Sequence, residues 1–169
     1  MTVVLQQGYT EKTPTPIDSS LFRRVMGQFP TGVAIVTVER PGAPYLGVTI
    51  NSLISVSLAP PLILFCAKKT AQAYDIIASA SAFSVSILAD NQESLALQCA
   101  KPGGMELDTA LVTGSAAGTE CIQEAMHSGG DHTIIVGRVK ALHFDSDRQP
   151  LVFHRSRFAT VTKEKFAEI

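Results

Sequence analysis

An antiparallel β-barrel with a few helices packed on it is the fold class this sequence predicts. Three observations point there. Short β-branched and apolar runs are joined by tight Pro/Gly turns. Two or three segments have helical spacing, too few to alternate with the strands as a parallel βαβ sheet requires. No GxGxxG follows a strand, so the dinucleotide-binding turn of doubly wound sheets is missing. With 169 residues, 46% hydrophobic and 17% charged, the chain has the material for one compact domain with a sizeable core.

Each element follows from local chemistry. Residues 1–17 are polar and carry Thr-Pro-Thr-Pro, which reads as a loose tail, leaving 18–169 as the domain. Asp18-Ser19-Ser20 offers N-caps for a helix whose apolar residues Leu21, Phe22, Val25, Met26 and Phe29 share one face, ending before Pro30. Val33–Val38 is a β-branched strand, residues 40–44 turn, and Tyr45–Ile50 returns antiparallel. The run then breaks its alternation with Thr49, Asn51, Ser52, Ser55 and Ser57, turns at Pro60-Pro61 and resumes as the apolar strand Leu62–Cys66. Residues 71–81 are Ala-rich and read as a helix, and 82–88 alternate as a strand. Asp90 is expected to cap a helix through Leu95, Leu97 and Cys99, closed by Lys101-Pro102-Gly103-Gly104. Residues 105–117 read as loop and 119–126 as strand. A turn at 128–131 leads to a long strand, 132–144, in which Gly137 marks a bulge or a close approach. Strands at 151–154 and 158–161 complete the set.

Composition excludes several function classes. Net charge is −1, with 14 basic and 15 acidic residues, so no nucleic-acid surface and no anionic membrane partner is expected. No apolar run approaches the ~20 residues of a membrane helix. Met1–Pro16 lacks a basic start followed by an apolar core, so no signal peptide is expected, and the location expected is cytoplasmic. Cys66, Cys99 and Cys121 are odd in number and far apart, the pattern of reduced, mostly buried thiols. His127, His132, His143 and His154 show no metal-ligand spacing, so no metal is expected. No Ser stands in GxSxG, so no activated nucleophile is read.

Three places could carry chemistry. The polar stretch between buried strands is costly unless its hydroxyls and amides find partners. A flat heteroaromatic ligand with a donor–acceptor edge satisfies it; so does a twisted strand with solvated hydroxyls. Lys68-Lys69-Thr70 precedes a helix, which suits an anion, although solvated lysines fit the same residues. His132, set by Gly129-Gly130-Asp131 at a strand start, could orient a substrate, with Asp131 or a backbone group fixing its tautomer; an ordinary surface turn is the other reading.

Four motifs in order give these places a common meaning. They are Phe22-Arg23-Arg24 through Phe29-Pro30-Thr31-Gly32-Val33; Gly47-Val48-Thr49-Ile50-Asn51-Ser52 through Ser55-Val56-Ser57 to Pro60-Pro61-Leu62; Gly130-Asp131-His132 through Val136-Gly137-Arg138-Val139; and Pro150-Leu151 leading to Arg157-Phe158. From about Leu21 to Phe158 the chain resembles the short-chain NAD(P)H:flavin oxidoreductases, reductase components of two-component flavin monooxygenases with the FMN-binding split-barrel fold. The resemblance implies a split β-barrel, mostly β with few helices. It implies FMN, with FAD as the alternative, and NADH or NADPH.

It also implies roles. Thr49, Ile50, Asn51 and Ser52 would hold the flavin ring and ribityl chain, and Ser55, Val56 and Ser57 would line the ring edge. Cys66, Ala67 and Lys68 would pass the ribityl chain, and Lys69 and Thr70 would take the phosphate. Arg157 and Phe158 would lie near the flavin, and His132 near the nicotinamide. Partners implied are a monooxygenase and a second copy of the chain in a homodimer. Gln72 and Ala73 stand where the family's phosphate loop usually continues with Ser and Thr, and Phe158 where Tyr is common. The segment between Pro102 and Thr119 is short for the family, which predicts a more open site. A flavin- or haem-binding split barrel without reductase activity, and a purely partner-binding barrel, remain as readings from other classes.

Overall fold

The structure, a computed structural model, describes residues 16–161. The tail expected over 1–17 therefore lies, through residue 15, outside the described residues, as does the domain's end from 162 onward.

Helix α1 (Ser19–Met26) opens the described chain. The Asp18 carboxylate caps it, accepting from the Ser20 amide at 2.9 Å and the Ser20 hydroxyl at 2.7 Å, and these bonds hold its pKa below the usual carboxylate value. The apolar face is where the spacing put it, but the chain does not cover it: Leu21, Phe22, Val25, Met26 and Phe29 are between 53% and 71% exposed.

Strands β1 (Thr31–Gly32), β2 (Ala34–Arg40) and β3 (Ala43–Ile50) follow, with Pro41-Gly42 turning β2 into β3. Strand β2 lies between β3 and β6 (Ala82–Ile87) and is covered on both faces, which is why Val33–Val38 reads as a continuous apolar run and not an alternating one. Ala34, Val36 and Val38 point into a core with Phe65, Phe83, Val85 and Ile135; Val33 and Ile35 point into another with Leu88, Ala96, Cys99 and Leu151.

The polar stretch is two elements. Residues 51–53 are a loop, and Ile54–Leu58 is a strand, β4, at the edge of the sheet beside β5 (Pro61–Lys68). The sequence reading gave 54–58 no strand, because its serines mask a period-two alternation with Ile54, Val56 and Leu58. Those three apolar residues are exposed, Leu58 at 93%.

Helix α2 (Tyr74–Ser79) is shorter than the Ala-rich run, because residues 71–73 form turns. Helix α3 (Glu93–Cys99) starts after Gln92, not at Asp90. The Gln92 side chain folds back to accept from the Ala89 amide at 2.9 Å and donates to the Thr113 carbonyl at 3.0 Å, fixing the approach to the helix. The expected loop at 105–117 contains a short strand, β7 (Met105–Leu107), which pairs with β3 where Gly47 lacks a Cβ: one built there would lie 2.5 Å from the Leu107 side chain.

The long hairpin of β8 (Ala117–Gly129) and β9 (His132–Phe144) turns at Gly130-Asp131. Gly137 is a close approach, since a Cβ there would sit 2.3 Å from the Phe83 ring, and the bulge lies opposite it on β8, between Gln123 and Ala125. Strands β10 (Leu151–His154) and β11 (Arg157–Thr160) end the described chain.

The eight-stranded sheet runs β4-β5-β9-β8-β6-β2-β3-β7, and β4 and β7 do not pair, so the barrel stays open. A second sheet, β1-β10-β11, branches from it. The branch point is a ring of three backbone hydrogen bonds: Leu88 N–H to Val33 C=O at 2.9 Å, Leu151 N–H to Leu88 C=O at 2.9 Å, and Val33 N–H to Leu151 C=O at 3.1 Å. All three residues are buried, so each polar group there needs such a partner. The fold is the expected split barrel, mostly β with few helices.

Candidate functional site

The ladder between β5 and β9 builds one wall. Its last pair is Lys68 opposite His132, so the strand that carries Cys66, Ala67 and Lys68 delivers the histidine beside them. Across from this wall stands the end of β3, Thr49 and Ile50, with the Asn51-Ser52 loop. Together with Tyr74 and Ile77 of α2 and Ala100 after α3, they enclose a cavity of about 390 Å³. A second cavity of about 320 Å³ shares Thr49, Ile50, Asn51 and Ala100 with the first and continues to Phe153, Ser156 and Phe158.

The hydroxyls of the polar stretch are partly committed. Thr49 Oγ1 donates to the Ala96 carbonyl at 2.7 Å, tying β3 to α3 and leaving oxygen lone pairs for a donor. Ser52 Oγ accepts from the Cys66 amide at 3.0 Å. Strand β4 pairs with β5 only as far as Ile54 opposite Leu64, so Ser52 supplies the acceptor that the ladder no longer offers Cys66. Its own O–H proton points to nothing else among the described hydrogen bonds. Tyr74 is held by a hydroxyl–hydroxyl bond to Thr133 at 2.7 Å.

His132 Nδ1 lies 2.8 Å from Asp131 Oδ1. With Nδ1–H donating to the carboxylate, Nε2 is the ring nitrogen left for a ligand. The hydrogen bond from His132, with the charge beside it, holds the Asp131 carboxyl below its ordinary value. The turn itself is braced by Lys69, whose ammonium donates to Ser128 Oγ at 3.1 Å and the Gly130 carbonyl at 2.7 Å, while its amide donates to the Asp131 carbonyl at 3.0 Å.

Of the residues singled out from sequence, Thr49, Ile50, Asn51, Ser52, Cys66, Ala67, Lys68 and His132 line the first cavity. Phe158 lines the second. Ser55, Val56 and Ser57 run along β4, off both; Lys69 faces the β8–β9 turn, and Thr70 and Arg157 line neither. Sequence reasoning missed Tyr74, Ala100, Phe153 and Ser156. Tyr74 had a signal, being the one aromatic in an Ala-rich run. The other three come to the site by tertiary packing and had none.

The lining suits a flat, partly polar ring: apolar walls from Phe65 and Ile77, lone pairs at Thr49, a free O–H at Ser52, and the Lys68 cation at one end. It therefore fits a flavin. Among the described residues no group of three His, Cys, Asp or Glu converges as a metal site, and no helix is long and apolar enough to cross a membrane.

Comparison with known proteins gives one consistent result. The family described as "Flavin reductase like domain" matches residues 26–162. The reductase subunit of a flavin-dependent monooxygenase from Rhodococcus jostii is 36% identical over 162 residues, covering 88% of this chain and 81% of the relative. An FMN reductase (NADH) of Agrobacterium fabrum is also 36% identical, covering 87% of this chain and 88% of the relative. Among solved structures, the NADH:FAD oxidoreductase of Streptomyces globisporus, in complex with NAD and FAD fragments, superposes with a TM-score of 0.80 at 35% identity, covering 90% of this chain and 98% of that one.

Proposed function

We infer the function from one premise: the chain belongs to the flavin reductase like family. On it we propose an NAD(P)H:flavin oxidoreductase that reduces FMN or FAD with NADH or NADPH and hands the reduced flavin to a partner monooxygenase. The flavin, once bound, supplies the hydride-accepting ring.

The protein's part is position. Thr49, Ile50, Asn51 and Ser52 hold the ring between β3 and β5, with Cys66, Ala67 and Lys68 along the facing wall. Phe158 flanks the far side from the adjoining cavity. Ser55, Val56 and Ser57 on β4, with Thr70 and Arg157, stand outside both cavities and are left without a ring or phosphate contact, and Lys69 acts through the turn that carries His132. His132 would orient the nicotinamide against the bound flavin, with Asp131 holding the imidazole in place. The single observation that carries this reading is the coincidence, in one cavity, of the end of β3, the 66–68 wall and an Asp131-braced histidine.

The same reading takes 18–169 as one domain, located in the cytoplasm, that pairs into a homodimer. The uncovered apolar faces of α1 and of β4 support that pairing, because each leaves several large apolar side chains to water that a partner copy would cover.

Two measurements test the assignment. Titration with FMN should quench flavin fluorescence at one flavin per chain. His132→Ala should lower kcat/KM for the nicotinamide nucleotide about 10-fold or more while leaving the FMN Kd within a factor of about two. Equal losses in both would remove His132 from its assigned role.

A further inference from the structure

Three arginines meet at a place the flavin reading does not use. Arg23 and Arg24 of α1, with Gly27 and Gln28 after it, face Arg155 and Ser156 of the β10–β11 turn across a cavity of about 280 Å³. Ser156 also lines the cavity that runs to Thr49, Ile50 and Asn51, so the arginine pocket continues the cleft on the side away from His132. We propose that this pocket is an anion subsite that takes the adenylate-side phosphates of a dinucleotide lying in the cleft. The proposal rests on reading the cleft as a flavin–nicotinamide site.

The pocket is built. Gln28 Oε1 accepts two hydrogen bonds from the Arg155 guanidinium, from Nε at 2.9 Å and Nη2 at 2.6 Å, while Gln28 Nε2 donates to the Arg24 carbonyl at 3.2 Å. The Arg155 amide donates to the Gly27 carbonyl at 3.0 Å. A guanidinium so held is fixed in place, with the rest of its fork free for phosphate oxygens. The arginines that form ion pairs among the described residues are Arg40, Arg138 and Arg148, so none of the three in the pocket is neutralised by a described carboxylate.

The turn adds a second sign. Arg155 and Ser156 both have left-handed backbones, φ 50° and 61°, in a two-residue hairpin turn where Asn-Gly would be relaxed. Arginine there carries conformational strain that a turn alone does not require. Arg23 and Arg24 by themselves have a simpler account, since cations in a last helical turn offset the helix dipole. That account covers neither Arg155 nor the Gln28 clamp.

Arg155→Asn tests the proposal, because asparagine suits the left-handed turn better than arginine and removes the charge. The purified full chain is assayed for KM of NADH and NADPH at saturating FMN, and for Kd of FMN and FAD, with Arg23→Gln/Arg24→Gln as a second variant. The expected result is an unchanged or raised Tm, an FMN Kd within about twofold, and a loss of about tenfold for a dinucleotide, as for one charge-assisted contact. A loss confined to NADH or NADPH assigns the pocket to the nicotinamide nucleotide, a loss greater for NADPH adding its 2′-phosphate; a loss confined to FAD assigns it to the flavin. If all four ligands are unaffected in both variants, or FMN weakens as much as the others, the proposal fails. A wild-type chain that oxidises neither nucleotide with any flavin would instead overturn the reading beneath it.

Discussion

Ser52→Ala separates what the cleft does for the fold from what it does for a ligand. In the free protein the substitution strips the Cys66 amide of its acceptor on the wall of an open, hydrated cavity. Water can replace the lost partner, so the cost falls at the low end for an unpaired amide, about 1 kcal/mol. For a chain of this size that lowers Tm by about 2–4 °C. A flat ring seated in the cleft expels that water and leaves the amide orphaned, which raises the cost to about 2–3 kcal/mol. The difference, about 1–2 kcal/mol, appears as an FMN Kd weakened by about 5- to 30-fold. Thermal unfolding without ligand and a fluorescence titration with FMN measure the two parts. A Ser52→Ala protein with wild-type Tm and wild-type Kd would refute the argument that this hydroxyl replaces the missing ladder partner. A large Tm loss with no change in Kd would show that the ring does not exclude water from Cys66.

Three further outcomes follow from the packing of the core. Gly137→Ala drives a methyl into the Phe83 ring, which cannot retreat because Phe65 meets it edge-on at 5.2 Å; overpacking of this kind costs about 1–3 kcal/mol, read from urea midpoints, and Phe83→Leu should relieve most of it. Burial pushes the Cys99 thiol from 9.0 up to about 11 and also raises Cys121. Because the folded value lies above the unfolded one, the Cys99 contribution to stability is complete below pH 9.0 and is lost as pH rises toward about 11. At pH 8 a thiol reagent should label half-exposed Cys66 and spare Cys99 and Cys121 until the protein unfolds; rapid labelling of all three would contradict the packing.

Much of this fold was legible because strong local signals agreed with it. Asp18 caps, Pro41-Gly42 and Gly130-Asp131 turn, and the 132–144 strand has the bounds its pattern suggested. Strand β4 was not legible, since alternating serine and aliphatic residues on an exposed edge look like a loop when buried-core periodicity is the guide. Helix α3 was misplaced at its start because Asp90 is the better cap in isolation, whereas the helix starts after Gln92, whose side chain makes no cap bond and instead ties the approach to Ala89 and Thr113. At the site, Thr49, Asn51 and Ser52 announced themselves as polar residues between apolar strands. What sequence could not show is that two of those hydroxyls already have protein partners. Nor could it show that Lys69, read as a phosphate ligand, braces the turn that carries His132. Arg23, Arg24 and Arg155 are more than a hundred residues apart at the extremes, and only the packing of α1 on the last hairpin gathers them.

The most direct test of the account is oxidation of NADH and NADPH by the purified protein, followed at the nicotinamide absorbance with no flavin, with FMN and with FAD. Turnover should depend on added flavin and be faster with one nucleotide than with the other. A protein that binds FMN yet oxidises neither nucleotide would contradict it, and would make this cleft a flavin-holding site without reductase chemistry.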